Sequence, residues 1–543
     1  MQNNQERHTF FDGKTLIAIV LVGFFWFAWE RHLQQKYPEA YQPIVPPSQE
    51  LAEPPKTAAN ALDADKEKPK PPPAQVLNLA REEFTHFEDA NLKFDFTSIG
   101  MGLKNIVVKS YVQRDGSEVK LGLEGGPGIF ETSLVGVDEP LYFKVEKKSE
   151  YSYLGLANHN NMILRKEMTI NPNDYSVKVD IKIEGIANDL RGVKTLISDL
   201  VRSVESHGFW SSMTNPNYDY QHFYAAYENT STDAYLMSGF EFKTQTLNAL
   251  RILSFGSQYF AMAIVDKSGV MPKGEISWKD SSKFYGTVTH EMVNKESAFE
   301  ISYLGYLGPK DLDVVSRVEP SLTAIIDFGM FSIIGRPLLM IMKFFYGLFH
   351  NYGLAIILLT LFVRLLILPL NMMGFKSMKK MQIIQPQLKS INEKFKDNAQ
   401  AKNLATMALF KEHKVNPMGG CLPMLLQLPI FFALYQVFAQ SIELYRAPFG
   451  LWIHDLSFKD PYYVLPVAMA VVMFFQQWVT PTTMDPQQKK VMMFMPLMFS
   501  VFMLNLPSGL SLYMFVSGLF GVLQQLYFMR DTSAVTVTKL EIV

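Results

Sequence analysis

The chain has 543 residues, 48% of them hydrophobic, and a formal net charge of −1. That length exceeds one ordinary domain, and the neutral balance gives no reason to expect a nucleic-acid partner. The single cysteine, Cys421, excludes an internal disulfide and argues against a thiolate metal cluster, and the chain contains no G-x-x-x-x-G-K-[ST] phosphate loop.

The first element is an apolar segment, Leu16–Trp29, preceded by Arg7 and Lys14. No small-x-small cleavage site follows it, so residues 1–32 are expected to be an uncleaved signal anchor, with a cleaved signal peptide as the alternative. Residues 33–75 are rich in Pro, Ala and charge, a composition that buries no core and suits an extended tether. Residues 76–318 change character. Val177–Gly185 (VKVDIKIEG) alternates apolar and polar with period two, and further strand-like pieces are separated by Gly, Asn, Asp and Ser. This predicts a large antiparallel β-sandwich, interrupted by a helix near Asp189–Val204. The GGPG at Gly125–Gly128 reads as a turn within it. The histidines and carboxylates here show no metal-ligand or catalytic spacing and read as solvated surface groups.

Residues 319–350 mix apolar stretches with Asp327, Arg336 and Lys343. They predict an amphipathic helix at the outer membrane surface. Apolar spans then follow at Gly353–Leu370, Cys421–Val437, Tyr463–Val479, Val491–Leu506 and Leu510–Phe528. With the anchor these make six. Residues 371–415 carry nine Lys against three acidic groups. Positive connections stay cytoplasmic, which puts the N- and C-termini inside and the β-domain outside. Sixteen or seventeen residues span only ~24–26 Å of a ~30 Å hydrocarbon core. Either the bilayer thins around such a bundle or aromatic ends extend it.

Arg364 stands alone in the first of these spans. Its guanidinium stays charged, and the cost of that charge in lipid runs from ~3 to more than ~10 kcal/mol. No Asp or Glu occurs in the apolar spans that follow. Two readings are open: a hydrated cavity built around the charge, or a side chain that snorkels to the boundary near Asn371, roughly 10 Å away along a helix.

Residues 371–415 predict a helical hairpin. Met372, Phe375, Met378, Ile383, Leu388, Ile391 and Phe395 form one apolar face, and Leu404, Met407 and Phe410 the other, with a turn at Asp397-Asn398. Lysines such as Lys376, Lys379, Lys380 and Lys389 lie outside. They mark either a solvated helix pair or a docking surface for anionic lipid or a ribosome-linked partner.

Three ordered motifs carry a resemblance: Asn416–Phe431 (NPMGGCLPMLLQLPIF), Leu451–Pro466 (LWIHDLSFKDPYYVLP) and Phe494–Gln525. With the anchor, tether and β-domain, the chain resembles the Gram-negative form of the YidC membrane-protein insertase family, over its whole length. The resemblance implies a polytopic α-helical membrane protein of the bacterial inner membrane. It would have six transmembrane helices with a five-helix insertase core in residues 351–530, a periplasmic β-supersandwich and a cytoplasmic hairpin, followed by a short tail at 531–543. It implies no enzymatic role and no cofactor. Expected partners are nascent inner-membrane proteins, the Sec translocon, the ribosome with its targeting machinery, and anionic lipids.

The family's hydrophilic groove falls on Arg364, Thr360, Gln427 and Tyr513. Its substrate slide falls on Leu428, Phe431, Phe432, Phe494, Met498 and Phe502. Two departures stand out: Met514 follows Tyr513 where the family has a second aromatic, and the tail (RDTSAVTVTKLEIV) is not basic. A channel or transporter is an alternative, as is a membrane-anchored carbohydrate-active enzyme. Neither internal repeats nor a second intramembrane charge favours the transporter.

Overall fold

The computed structural model describes residues 81–185, 190–201, 222–228, 230–235, 244–278, 283–292, 298–326, 328–396, 398–413, 415, 422–480, 493–495, 500–501 and 503–529. The expected anchor (1–32), tether (33–75) and tail (531–543) lie outside these residues, as do seven of the sixteen residues of the span expected at Val491–Leu506.

Among the described residues, three antiparallel sheets of four, five and nine strands build the β-rich part. Period-two burial explains the largest one. Along Ser176–Glu184 the side chains of Val177, Val179, Ile181 and Ile183 are fully buried, and the intervening residues face out. This strand pairs on one side with Met162–Asn171 and on the other with Ala298–Pro309. The helix expected near Asp189–Val204 is instead a strand, Gly192–Val201, paired with Lys283–Glu291 and with Thr132–Leu134. The reason is local and tertiary together. Val193, Thr195 and Ile197 alternate into the core, and partners on both sides stabilise the strand these β-branched residues favour.

One inward position of the nine-stranded sheet, in Met162–Asn171, holds Lys166, which is fully buried. Its Nζ, with at most three N–H donors to share, lies within hydrogen-bond distance of the carbonyls of Gly100 (3.0 Å), Met101 (3.0 Å) and Phe130 (2.5 Å) and of Thr132 Oγ1 (2.9 Å). Burial pushes its ammonium down to about 7.

Helix α1 (Leu312–Val318) follows the last strand. Its N-cap Asp311 accepts from the amides of Asp313 and Val314, and Pro320 stands just beyond its end. After two 3-10 turns comes α2 (Ser332–Phe349), which ends at His350 in the left-handed conformation. Lys343 of α2 forms ion pairs with Asp313 and Glu443, each at 2.7 Å, which ties α2 to α1 and to the turn at Ile442–Leu444. Asn351 then caps α3 (Tyr352–Leu366) through Leu354 N.

The apolar run Gly353–Leu370, expected to be one straight span, is broken. Helix α3 stops at Leu366, and α4 (Leu368–Ile383) leaves at 60°. Pro369 in the first turn of α4 has no N–H to donate back into α3, and its ring crowds the preceding turn. The first hairpin arm, expected to be continuous from Met372 to Phe395, breaks again at Ile384, before Pro386, giving α5 (Gln385–Lys394). Asn398 caps α6 (Ala399–Glu412). The seam between these arms is Ile384, Leu388, Leu409, Phe410 and Val415, with Met381 and Ile391 against it. Three residues expected on the apolar faces point outward instead: Ile383, Leu404 and Met407. The break at Ile384 rotates the face by one residue, so Ile384 packs where Ile383 was expected.

Three further helices complete the described core: α7 (Leu422–Gln440), α8 (Val464–Val479) and α9 (Ser508–Met529). Among the described residues, α2 and α9 are long and apolar enough to cross a membrane, and the bent pair α3–α4 makes a third candidate.

A polar seam beside Arg364

Helix α3 and its continuation α4 run along α9 in a constant register. Arg364 bonds Ser517, 153 positions ahead. Ile356 Cδ1 lies against Gly509, and Phe375 stacks on Phe528 with centroids 5.8 Å apart, both at the same offset. Small residues permit the approach. On the other face of α9, Val472 of α8 lies against Gly518.

Arg364 points into this bundle. Its Nε donates to Ser517 Oγ at 2.8 Å and an Nη to the same oxygen at 2.5 Å. The Gln476 amide and the guanidinium both border Gly521, which has no side chain to intrude on them. Among the described residues no carboxylate lies within ion-pair distance of Arg364. The guanidinium is turned inward, toward α9.

The other expected groove residues fall on the same side of the bundle. Gln427 Nε2 of α7 donates to the hydroxyl of Tyr513 at 2.5 Å, and Tyr513 is buried edge-on to Phe438. Thr360 lies one turn before Arg364, fully buried, with its hydroxyl committed to Ile356 O (2.6 Å). It lines the packed interior of α3 and offers no donor to a guest. Sequence reasoning missed Ser517, Gln476, Thr480, Gln524 and Gln525. Gln525 Nε2 donates to Thr480 Oγ1 at 3.0 Å across α8 and α9. The signal was present: Tyr513, Ser517 and Gln524 recur at helical spacing along one face of an apolar helix.

Several buried polar atoms along the seam have no hydrogen-bond partner among the described residues: Gln427 Oε1, Asn371 Oδ1, and both polar atoms of Gln524. Each such atom in an apolar interior costs about 1–3 kcal/mol. The seam therefore carries donors and acceptors left without partners among the described residues.

The end of the seam nearest the β-domain is covered by the α7–α8 connection. Phe449 packs on Gly353 at the start of α3, and Leu456 covers Gly509 at the start of α9. Asp460 holds the connection together, accepting from Trp452 Nε1 (3.0 Å), Tyr462 N (3.0 Å) and Leu465 N (2.7 Å). The β-domain clamps it from outside. Arg114 Nε lies 3.4 Å from Asp455 Oδ2, with the rings of Tyr259, Tyr445 and Phe458 around the guanidinium. Arg446 donates to Gln113 O at 2.5 Å.

Of the expected slide residues, Leu428, Phe432 and Phe494 are exposed and Phe431 is half-buried. Phe432 stacks on Phe331, just before α2, at 6.0 Å. Met498 and Phe502 lie outside the described residues. Lys376, Lys380 and Lys389 are exposed along the hairpin, and Lys379 is half-buried.

Residues 344–535 match the 60Kd inner membrane protein family and residues 113–341 match the YidC periplasmic domain. The chain is 43% identical over 282 residues to the membrane protein insertase YidC of Geobacter metallireducens, covering 52% of this chain and 53% of that protein. It thus spans about half the length of that relative. It is 34% identical over 462 residues to the membrane protein insertase YidC of Syntrophus aciditrophicus, covering 80% of this chain and 82% of the relative. A crystal structure of an active YidC insertase with its first transmembrane domain resolved aligns over 82% of this chain and 92% of its own, at 20% identity and a TM-score of 0.38. On the strength of the match that runs through both the β-rich part and the helical core, the chain belongs to the YidC membrane protein insertase family.

Proposed function

We propose that this chain is a membrane protein insertase of the bacterial inner membrane, acting on nascent inner-membrane proteins without covalent chemistry. The observation that carries the reading is Arg364: a permanent charge turned into an apolar bundle, held by a serine, with no carboxylate partner among the described residues and orphan amides nearby. A seam of that kind replaces part of the hydration that a hydrophilic terminus loses on leaving water. Acidic groups on the client gain attraction from the guanidinium. The client's apolar span then leaves past Leu428, Phe431 and Phe432 of α7 and Phe494, with Met498 and Phe502, into lipid. Hydrophobic partitioning supplies the driving force, and the membrane potential assists negative segments.

The proposed topology has six spans, both termini cytoplasmic and the β-domain periplasmic. The lysine excess of residues 371–415 supports it, as does the cover that Phe449 and Leu456 place over the end of the seam nearest that domain. In this topology α2 lies along the periplasmic surface, consistent with Lys343 anchoring it to Asp313 and Glu443, and the α4–α6 hairpin is cytoplasmic. Its exposed lysines suit anionic lipid or the ribosome, and action beside the Sec translocon fits the same client class.

The test is reconstitution of the full chain in vesicles with ribosome-bound single-span clients. Protected client termini are expected with the native chain, at least tenfold fewer with Arg364→Ala. Undiminished insertion by Arg364→Ala would remove the charge from the mechanism, and ion flux without insertion would replace the reading with a channel.

A further inference from the structure

Two amides farther along the seam deepen this reading, and the inference from them rests on it. Asn371 of α4 and Gln524 of α9 share the 153-residue offset of Arg364 and Ser517. They fall between that pair and the Phe375–Phe528 stack, where α4 lies against α9. Both are more than nine-tenths buried, at 2% and 7% exposure. Asn371 Oδ1 and both polar atoms of Gln524 lack hydrogen-bond partners among the described residues. Buried polar groups in folded proteins are nearly always paired. Three orphan atoms at one level of one helix pair therefore call for a ligand with both donors and acceptors.

We propose that Asn371 and Gln524 form a second station in the seam, which binds the uncharged main chain of a translocating polypeptide. A primary amide side chain presents one acceptor oxygen and two N–H donors. Each residue of an extended polypeptide presents one C=O and, except at proline, one N–H. The two sets are complementary whatever the guest's side chains are. Arg364 differs in kind: it only donates, it is charged, and it favours carboxylates. The two stations divide recognition. Arg364 discriminates by charge, and the amides hold polar backbone regardless of sequence. Phe375 and Phe528 are half-buried one turn farther on, at the edge of the α4–α9 contact, so a guest reaches the amides by displacing the lighter end of that contact.

The test uses the full chain in vesicles with two single-span clients. In one the translocated segment is Ser/Asn/Gly-rich and uncharged; in the other it carries several Asp and Glu. With Asn371→Leu/Gln524→Leu, insertion of the uncharged client is expected to fall at least fivefold and that of the acidic client less than twofold. Asn371→Gln/Gln524→Asn, which keeps the amides, is expected to retain most insertion of both. A photo-crosslinker at position 524 in the otherwise unaltered chain is expected to capture the stalled translocating segment. Unchanged insertion of the uncharged client by the leucine variant overturns the station, as does an equal fall for both clients. Crosslinks from position 524 confined to α4 overturn it as well. If the native chain inserts neither client, the insertase reading itself fails, a result distinct from those three.

Discussion

Phe449 occupies the space above Gly353, leaving no room for even a methyl group on the glycine. The contact seats the α7–α8 connection on the first turn of α3. Gly353→Ala is therefore expected to destabilise the folded chain by ~1–3 kcal/mol, as overpacking does. The same substitution in a Phe449→Ala background should cost less than half as much. Thermal unfolding of the four chains of this cycle in detergent checks it; equal effects in both backgrounds would show that the ring does not set the constraint.

Ser517 is the only hydrogen-bond acceptor that the structure gives Arg364 among the described residues. Hydrogen bonds to charged groups contribute ~1.5–3 kcal/mol. Ser517→Ala should reduce insertion of acidic clients three- to tenfold, and Ser517→Thr should keep most of it. Loss of insertion in both variants would point to helix packing rather than to the hydroxyl.

Arg114 couples the β-domain to the α7–α8 connection through Asp455 and three aromatic rings. Both charged groups retain some solvent contact, so the ion pair alone is worth less than ~1 kcal/mol; the rings add a comparable amount. Arg114→Ala is expected to speed amide hydrogen exchange across residues 446–458 about three- to thirtyfold. Exchange in the Met162–Asn171 strand should stay unchanged. Uniform acceleration everywhere would mean a global loss of stability instead.

Lys166 ties stability to pH. Its folded-state value, about 7, lies below the ordinary lysine value. Between these two values the unfolded chain binds more protons, so stability rises with pH, by at most ~1.4 kcal/mol per unit. Below about 7 both states are protonated and the contribution is flat. Lys166→Met should remove this slope, so its stability relative to the native chain should fall as pH rises from 7 to 9. The measurement is the difference in denaturation midpoint between the two chains from pH 7 to pH 9; a constant difference would count against a depressed Lys166.

Much of the site was legible from residue order, and the losses have physical causes. Period-two alternation placed Ser176–Glu184 in a sheet, and an isolated arginine in an apolar run marked the seam. Hydropathy alone could not show that Pro369 ends α3 early, because Ile367, Leu368 and Leu370 on either side are as apolar as the helix before them. Gly192–Val201 was misread because its strand state depends on two partners distant in the chain. Ser517 and Gln524 carry a readable spacing on α9, but their meaning depends on the register with α3 and α4, which only tertiary contact sets. Arg114 and Asp455, 341 positions apart, left no local trace.

The bend at Ile367 has a consequence for energetics across the bilayer. Helix α3 has fifteen residues, ~22 Å of rise, and Arg364 sits in its last turn. In the proposed orientation the charge stands ~18 Å from the start of α3, just on the cytoplasmic side of the middle of a ~30 Å hydrocarbon layer. In the proposed function an acidic client segment would be pulled in through the cytoplasmic half and would then have to climb away from that attraction to reach the far side. In that reading the arginine would act as a holding point, not a motor.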